Sequence, residues 1–335
     1  MSTRLKRFVD LADVGQAGVK DLLSLAAQLE RRPEPEALLG RILGLVFLNP
    51  SLRTLASFQA GIARLGGTAF VITPGQGTWA LETRLGVPMN GVAAEHIREG
   101  LPVLASYCDA LGIRAFADGK DLAADLADEN FNAMAALVPK PLINLESAIN
   151  HPCQALADWK TLEDLSIPVR SKFVLSWVNH PRALPLAVPA AALHMAALRG
   201  HEVVVLRPDG FALPPAVMDR ARAAAAASGG SVAETTDRKA ALEGAHVLYA
   251  KEWGSTRHYG DAAGDARLRE HLGDWQVRES WFERARPDAK LMHCLPVRRN
   301  VAVADEVLDG PRSAVLREAH NRLLVQIAVL YRLLA

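Results

Sequence analysis

The 335-residue sequence is poor in cysteine and contains no paired cysteine motif. Cys108, Cys153 and Cys294 are odd in number and widely spaced, and none belongs to a Cys-x-x-Cys pair. A disulfide framework uses an even set of closely spaced cysteines, which this chain lacks. The cysteine usage therefore excludes a disulfide scaffold and favours a reducing compartment.

The chain also lacks a strong net charge and any long apolar run. Its formal net charge is +1, so nothing indicates nucleic acid or an acidic membrane surface as the main partner. Residues 1–11 are charged and mixed, without the apolar core of a signal peptide. No apolar run reaches the roughly 20 residues that span a bilayer. We expect a soluble, cytoplasmic protein without nucleic-acid or membrane partners.

Common nucleotide and metal motifs are missing as well. The sequence has no Walker A motif, no Gly-x-Gly-x-x-Gly after a strand, no His-Glu-x-x-His and no calcium-binding loop of the Asp-x-Asp-x-Asp-Gly type. These absences argue against an ATP-binding or dinucleotide-binding protein, a zinc protease and an EF-hand protein.

What is present is an alternation of predicted strands and helices along the whole chain. The strands that matter most here are predicted at 42–48, 112–116, 142–145, 173–178, 246–250 and 291–294. Helices are predicted at 57–65, 94–107, 122–137, 152–162 and 317–334, and long loops at 73–91 and 251–264. This alternation predicts an α/β fold with parallel sheets in two domains, divided near Asn150. Ligands of such sheets bind beyond the carboxyl ends of the strands.

The stretch Asn49 to Thr54 lies between a predicted strand and a predicted helix. A helix start leaves backbone N–H groups unpaired and, with the helix dipole, favours an anion. Ser51 and Thr54 add hydroxyl donors, and Arg53 adds a planar charged group that suits phosphate. The alternative is an ordinary serine-capped helix with a surface arginine.

Three further segments carry polar groups in or just after predicted strands. They are Arg114, His151–Gln154 and His293–Arg299. Together with the first stretch they offer arginines, a histidine, hydroxyls, an amide and a thiol, a set that suits a phosphate beside a carbonyl to be polarised. Each also has a structural alternative, since His151 could be a core histidine, Cys294 a buried apolar residue and Arg114 the partner of a buried acid.

Three of these motifs together resemble the aspartate/ornithine transcarbamylase family: Ser-x-Arg-Thr at 51–54, His-Pro-x-Gln at 151–154 and His-Cys-Leu-Pro at 293–296. The resemblance covers nearly the whole chain. It implies two doubly wound parallel-sheet domains, a homotrimer with shared active sites, carbamoyl phosphate as donor, and neither metal nor cofactor. By this resemblance residues 1–150 bind carbamoyl phosphate, residues 151–312 bind the acceptor, and residues 313–335 form a helix that returns to the first domain.

The resemblance also implies roles for individual residues. Donor binding and activation would fall to Ser51, Leu52, Arg53, Thr54, Arg114, His151, Gln154 and Arg298. Cys294 and the Leu295 carbonyl would orient the attacking amine, and Trp79 would cover the site, from a neighbouring subunit. Leu55 departs from the arginine that usually follows the Ser-x-Arg-Thr motif, which puts any salt bridge of that arginine in doubt.

The acceptor is indicated by a second departure. The Asp-x-x-x-Ser-Met-Gly motif of ornithine enzymes is absent, and Trp177 to Arg182 stands in its place. This segment, with Glu146 and Lys251, is similar to the subgroup that carbamoylates N-acylated ornithine. Glu146 and Lys251 would hold the acceptor's carboxylate and δ-amine side.

Three positions bear on the acyl group, which is acetyl or succinyl in that subgroup. Ala94 precedes Glu95-His96, a segment that resembles Glu-Glu-His in N-acetyl enzymes, so Ala94 stands in place of a glutamate. Ala302 stands where the N-acetyl enzymes tend to carry lysine, and Pro185 resembles the N-succinyl type. Alanine at 94 removes a charge that would repel a succinyl carboxylate. Arg182 or Arg299 could pair with that carboxylate. We therefore expect N-succinyl-L-ornithine, with N-acetyl-L-ornithine as the alternative and drift of a surface loop as the neutral explanation.

Two readings from other classes stay open at this point. One is a catalytically silent protein that binds a phosphate ligand on the same fold. The other is a metal site made of His151, Cys153, His293 and Cys294, although the resemblance implies chemistry that needs no metal.

Overall fold

The computed structural model describes residues 5–335. Residues 1–4, which belong to the N-terminal segment 1–11 considered above, lie outside the described residues. The chain divides into two compact units, one of residues 5–118, 123–153 and 322–335 and the other of residues 119–122 and 154–321. Two of the boundaries, after Cys153 and after Asn321, lie inside long helices.

The first unit is built on a parallel sheet of five strands. In chain order, its elements are β1 (Arg7–Phe8), α1 (Gly15–Arg31), β2 (Ile42–Phe47), α2 (Leu52–Arg64), β3 (Thr68–Ile72), β4 (Leu81–Glu82), β5 (Glu95–His96), α3 (Ile97–Ser106), β6 (Ala110–Arg114), α4 (Leu122–Leu126), α5 (Glu129–Ala136) and β7 (Leu142–Glu146). The strand order is β1-β7-β6-β2-β3, and β4 and β5 form a separate two-stranded ribbon. Helix α6 (Pro152–Asp164) follows β7.

The central strands of this sheet are continuous apolar runs, as expected for strands covered on both faces. Five of the six residues of β2 are buried. At Gly44 an added Cβ would lie 2.6 Å from a side-chain carbon of Leu111 and 2.8 Å from Phe70, so the neighbouring side chains leave room only for glycine. Helices α3 and α5 contribute Leu101 and Phe131 to the same core.

The second unit also contains a parallel sheet of five strands, in the order β10-β9-β8-β11-β12. Its elements are β8 (Lys172–Trp177), α7 (Ala187–Arg199), β9 (Glu202–Leu206), α8 (Pro215–Ser228), β10 (Ser231–Thr235), α9 (Arg238–Leu242), β11 (Val247–Lys251), α10 (Ala262–Arg269), β12 (Lys290–Met292), α11 (Asp305–Leu308) and α12 (Val315–Leu334). The predicted α/β fold with parallel sheets is confirmed. Over residues 5–335, every helix is too short or too polar to cross a bilayer.

The last turns of α12 contact the N-terminal part of the first unit. The Tyr331 hydroxyl donates to Glu34 at 2.9 Å, and Arg332 pairs with Asp21 at 2.9 Å. The backbone carbonyl of Arg332 accepts from the Leu5 N–H at 3.0 Å. A C-terminal helix is thus present, and its part from residue 322 to residue 334 belongs to the first unit.

Several local predictions differ from the structure. The helix predicted at 122–137 is two helices, because Asp128 adopts φ 53° in the left-handed region and interrupts it. Helix α2 begins at Leu52, five positions before the predicted start at Ser57, because Ser51 caps it. The predicted loop 251–264 begins in strand β11 and ends inside α10, with a 3₁₀ turn at Thr256–His258 between them.

Candidate active site

Three neighbouring strands of the first unit carry polar residues at their carboxyl ends or in the turn that follows. In the sheet, β6 lies between β2 and β7, so the carboxyl ends of the three strands share one edge. Arg114 is the last residue of β6 and Glu146 the last of β7, and their positions pair in register. The turn from β2 into α2 begins just beyond Phe47, which pairs with Arg114. The fold therefore brings three of the predicted segments to one edge.

The turn after β2 has the geometry of an anion-binding helix start. Ser51 caps α2, and its hydroxyl accepts from the Thr54 N–H at 3.3 Å. Leu52, Arg53 and Thr54 form the first turn of the helix. Thr54 is fully buried and Arg53 half-buried, whereas Leu52 is exposed. The positive end of the helix dipole and the Arg53 guanidinium thus lie at the same place.

A buried charge network lies beside this turn. An Arg114 guanidinium nitrogen donates to Glu146 Oε2, and the guanidinium carbon lies 4.5 Å from the centre of the Phe116 ring. The same Glu146 oxygen lies 3.4 Å from His151 Nε2. Arg114, Glu146 and His151 are each less than a tenth exposed. The structure therefore groups Glu146 with the predicted donor residues, and its role toward the acceptor stays a prediction.

Arg322 is a further member of this group that the sequence reasoning missed. It is buried, and its guanidinium donates to the Thr54 hydroxyl at 2.7 Å. Burial lowers the pKa of Arg322, and the nearby guanidinium groups of Arg114 and Arg53 act in the same direction. Three arginines that repel one another stabilise an anion bound among them. One signal was available, because Arg322 occurs at apolar spacing with Val325 and Val329 on the buried face of α12.

His151 is electrically neutral in this environment. Burial is the largest cause that lowers its pKa well below 6.5, and the charges of Arg322, Arg114 and Arg53 lower it further. Within residues 5–335, His151 Nδ1 is buried without a hydrogen-bond partner. A buried ring nitrogen of this kind calls for a ligand atom, because an unpaired polar group in the interior is costly. A neutral histidine can hydrogen-bond a carbonyl oxygen and leave the positive charge to the arginines.

Three adjacent strands of the second unit end at the other predicted segments. β11 lies between β8 and β12, and Lys251 at the end of β11 pairs in register with Trp177 at the end of β8. His293 follows the last residue of β12. The loop from Asn179 to Pro185, the Lys251–Trp253 segment and the His293–Arg299 segment therefore leave one edge of this sheet.

A buried chain of contacts joins Lys251 to the His-Cys-Leu-Pro segment. The Lys251 ammonium lies 3.4 Å from Glu252 Oε1, and Glu252 Oε2 lies 3.2 Å from His293 Nε2. His293 Nδ1 accepts from the Leu295 N–H at 2.9 Å, so Nε2 carries the proton and donates to Glu252. Burial alone would raise the pKa of Glu252, but Lys251 and His293 outweigh it and hold this pKa well below its usual value. Glu252 is therefore a carboxylate.

Cys294 and Leu295 occupy the turn that this contact chain holds. Burial raises the pKa of the Cys294 thiol to about 12, so it is a neutral thiol near pH 7. Leu295 has φ 55°, in the left-handed region that residues other than glycine seldom adopt. The hydrogen bond from its N–H to His293 Nδ1 fixes the peptide plane between Cys294 and Leu295. Such strained residues occur at ligand sites when the surroundings hold them.

Arg269 ties together two of the loops at this edge. Its guanidinium donates to the carbonyls of His180 at 3.2 Å and Trp253 at 2.9 Å, and it forms a buried ion pair with Asp265. Asp265 in turn accepts from the Ser255 N–H at 2.7 Å. The loops after β8 and β11 are thus fixed by one cation.

We expect Arg269→Met to lower the free energy of unfolding by about 3–5 kcal/mol, since it leaves the Asp265 carboxylate buried without its cation. Urea unfolding followed by tryptophan fluorescence measures the change. Arg267→Met is the matched control, because Arg267 lies on the same helix with its side chain 67% exposed and its nearest carboxylate oxygen at 4.0 Å. An equal loss in the free energy of unfolding in Arg269→Met and Arg267→Met would contradict the role of Arg269 as the buried partner of Asp265.

Trp79 and Ala94 lie together in the exposed segment between β3 and α3. The Trp79 indole is 60% exposed and donates to Glu95 at 2.7 Å. Ala94 is exposed and directly precedes Glu95, the first residue of β5, which pairs with β4. The indole therefore lies close to the position whose side chain is predicted to select the acyl group.

The other positions predicted to bear on the acyl group are in the second unit. Arg299 pairs with Asp305 at 2.7 Å and with Asp309 at 2.6 Å, so two carboxylates already occupy it. Arg182 is exposed, and within residues 5–335 its guanidinium has no hydrogen-bond or ion-pair partner. Ala302 is fully buried, Pro185 is half-buried and Arg298 is exposed. Of the two predicted arginines, Arg182 is the one available to a ligand.

The predicted metal-site alternative is a cluster of His151, Cys153, His293 and Cys294. Across residues 5–335, no three or more histidine, cysteine or carboxylate side chains are arranged to hold a metal ion.

Comparison with known families resolves the membership of the chain. Residues 6–164 match the carbamoyl-P binding domain of aspartate/ornithine carbamoyltransferase, and residues 188–333 match the Asp/Orn binding domain. The chain belongs to the aspartate/ornithine carbamoyltransferase family. The resemblance that the sequence motifs indicated is confirmed.

Similar proteins place this carbamoyltransferase among the enzymes of N-acylated ornithine. An N-acetylornithine carbamoyltransferase of Xanthomonas campestris pv. campestris is 38% identical over 330 residues, 97% of either chain. An N-succinylornithine carbamoyltransferase of Bacteroides thetaiotaomicron is 34% identical over 332 residues, 98% of this chain and 99% of that one. The predicted subgroup and the predicted activity as a carbamoyltransferase are both confirmed.

A solved structure agrees with the fold. It is an N-acetyl-L-ornithine transcarbamylase variant with one glutamate replaced by proline, complexed with carbamyl phosphate and N-succinyl-L-norvaline. The TM-score is 0.94 at 38% identity, over 98% of this carbamoyltransferase and 100% of that chain.

Proposed function

We propose that this carbamoyltransferase transfers the carbamoyl group of carbamoyl phosphate to the side-chain amine of N-succinyl-L-ornithine. The products would be N-succinyl-L-citrulline and phosphate, as a step of arginine biosynthesis. The observation that carries the donor assignment is the cluster of Arg53, Arg114 and Arg322 around the neutral, buried His151. Its charge suits a phosphate, and its uncharged ring suits the carbonyl next to that phosphate.

The reaction follows from these groups. Arg53, the start of α2 and the Ser51 hydroxyl hold the phosphate, while Arg114 and His151 hydrogen-bond the carbamoyl oxygen. The acceptor amine, with an ordinary pKa near about 10.4, must bind in its neutral form. Its nitrogen forms a bond to the carbamoyl carbon, the bond from that carbon to the phosphate oxygen breaks, and the departing phosphate takes the proton that the nitrogen releases.

Groups at the edge of the second sheet suit the acceptor. The Leu295 carbonyl and the neutral Cys294 thiol accept from the amine, and the buried Lys251 ammonium pairs with the acceptor's α-carboxylate. We place the succinyl carboxylate on Arg182, because its guanidinium is exposed and Arg299 is already paired. Alanine at 94 leaves no side-chain carboxylate there to repel that group. Several solved complexes of N-acetyl-L-ornithine transcarbamylase with N-succinyl-L-norvaline are of variants that lack one glutamate, which supports this reasoning.

N-acetyl-L-ornithine is the second candidate acceptor. The N-acetylornithine relative is somewhat more similar to this chain than the N-succinylornithine relative, at 38% against 34% identity.

A comparison of four acceptors tests the proposal. Purified protein with saturating carbamoyl phosphate is given N-succinylornithine, N-acetylornithine, ornithine or aspartate, and the carbamoylated product is measured. We expect N-succinylornithine to react at least about tenfold faster than N-acetylornithine, since an ion pair that only one acyl group can form is worth about 1.4 kcal/mol or more. The reverse order would select the second candidate, and no product with any acceptor would indicate a catalytically silent binding protein.

We further propose a cytoplasmic homotrimer with Trp79 reaching a neighbouring subunit's site. Large apolar side chains of the first unit support an interface between copies of the chain, since Leu52 is 79% exposed, Val92 97% and Trp79 60%.

A further inference from the structure

Two buried carboxyl groups inside the second unit share one side-chain donor, the Gln154 amide. Asp158 is on α6 and Glu318 is in the first turn of α12, and both are fully buried. Two carboxylates buried this close together repel each other strongly, which favours one proton held by the pair. The start of α12 favours the one negative charge that remains.

The pair contacts two segments that carry predicted site residues. The Gln154 side-chain nitrogen donates to Asp158 Oδ1 at 2.8 Å and to Glu318 Oε1 at 3.0 Å. Glu318 Oε2 accepts from the His293 N–H at 2.9 Å. The Tyr249 hydroxyl completes the group at 3.5 Å from Glu318 Oε1.

These contacts define the orientation of the groups that they hold. Both hydrogens of the Gln154 amide point to the carboxyl pair, so its oxygen is the end that faces away from the pair. An amide oxygen is the acceptor that the NH₂ of a carbamoyl group requires. The His293 contact fixes the backbone immediately before Cys294 and Leu295.

We propose that Asp158 and Glu318 share one proton and that this carboxyl pair positions the Gln154 amide and the His293 backbone for carbamoyl transfer. The positioning part deepens the function proposed above and rests on it. The shared proton rests on the contacts within the second unit.

The Tyr249 and Cys294 side chains next to the pair do not change their charge in the pH range in which the pair is tested. Burial, then the neighbouring Asp158, raises the pKa of Glu318 well above its usual value. Burial likewise raises the pKa of Tyr249, and it raises the pKa of Cys294 to about 12, so both are neutral near pH 7. The His293 imidazole faces Glu252, and the Lys251 ammonium also lies beside Glu252.

The shared proton gives a pH dependence of known sign. Near neutral pH the folded protein holds a proton that the unfolded carboxyls, with ordinary pKa values of about 4, have released. The contribution of the pair to the free energy of unfolding therefore falls as pH rises above about 4, and it stops falling once the folded protein has also lost the shared proton. Glu318→Gln removes the titration of this position, so the melting temperature of the wild-type protein should fall relative to this variant between about pH 6 and about pH 8. Parallel melting profiles would overturn the shared proton.

Catalysis tests the positioning. Glu318→Leu keeps a similar volume but can neither donate nor accept, so we expect kcat to fall by about 10- to 100-fold. Part of that loss should be recovered in Glu318→Gln, whose single oxygen can replace one of the two acceptor contacts to Gln154 and His293. KM for the acceptor should change less than kcat in the leucine variant. Equal kcat in both folded variants would overturn the positioning role.

The outcomes separate the two proposals. If the wild-type protein carbamoylates none of the four acceptors, the proposed function fails, while the melting profiles still decide the shared proton. If Glu318→Leu does not fold, Asp158→Asn provides the catalytic test. In Asp158→Asn an amide replaces the other carboxyl, so activity should lose the dependence on the pair's proton and persist to higher pH than in the wild-type protein. An unchanged alkaline limit of activity would contradict the proposal.

Discussion

Replacing Arg53 by alanine is expected to abolish carbamoyl transfer while the protein stays folded. Arg53 lies in the first turn of α2, where its guanidinium adds to the positive end of the helix, and it is close enough to His151 and Arg322 to lower the pKa of each. In the proposed role it stabilises both the bound phosphate and the charge that grows on it as the bond breaks. Loss of one preorganised donor costs about 100- to 1000-fold in kcat, and we expect the upper end for a charged one.

Stability should hardly change in the Arg53→Ala variant. Arg53 is half-buried and its charge repels Arg322, so its removal relieves part of that repulsion. We expect a change within about 1 kcal/mol in the free energy of unfolding, as for most partly exposed charges. The matched control is Arg64→Ala, an exposed arginine in the last turn of the same helix, which should keep full activity. Substantial turnover of Arg53→Ala at saturating carbamoyl phosphate would remove Arg53 from the proposed role.

The sequence was sufficient to predict the edges at which the site residues lie. Arg114, Glu146 and Lys251 are each the last residue of a buried parallel strand. Apolar runs followed by polar residues predict such positions, because parallel strands place their carboxyl ends on one edge. The motif at 51–54 was likewise placed correctly after β2, although its residues turned out to begin the helix.

The partners of these residues were harder to predict. Arg322 donates to Thr54 across 268 positions of sequence, and Gln154 donates to Glu318 across 164. Local propensity and short motifs carry no information about such pairs, which form only when segments distant in sequence pack together. The sequence did show charged residues on an apolar helix face, at Glu318 and Arg322, and a buried charge needs a partner. That observation predicts that Glu318 and Arg322 each have a buried partner, but it does not identify either partner.

The break in the helix predicted at 122–137 has a different origin. Asp128 adopts a left-handed conformation there, and its side chain accepts from the Ser147 hydroxyl and from the Ala148 N–H at 3.1 Å. Helix propensity favours continuation through this position, but these contacts to the loop after β7 stabilise the break. Tertiary contacts thus override local preference at a position close in sequence to the predicted donor residues.

The second large effect is expected from Ala94→Glu, which should reverse the acyl preference. Ala94 is exposed and adjoins Glu95, whose carboxylate is hydrogen-bonded to Trp79 at 2.7 Å. A carboxylate at position 94 would face the succinyl carboxylate, and like charges brought together cost several kcal/mol. We expect the ratio of kcat/KM for N-succinylornithine over N-acetylornithine to fall by about 100-fold or more, which corresponds to about 2.7 kcal/mol.

Charge and bulk can be separated with a matched variant. Ala94→Gln adds nearly the same volume without charge, so it should lower the ratio far less than Ala94→Glu if repulsion is the cause. Because position 94 is exposed, the effect of Ala94→Glu should also weaken as salt is raised toward about 1 M, where the screening length is about 3 Å. A ratio that falls equally in both variants and does not respond to salt would mean that position 94 selects the acyl group by size. Relative rates that do not change in either variant would move the selection to Arg182 and the loop after β8.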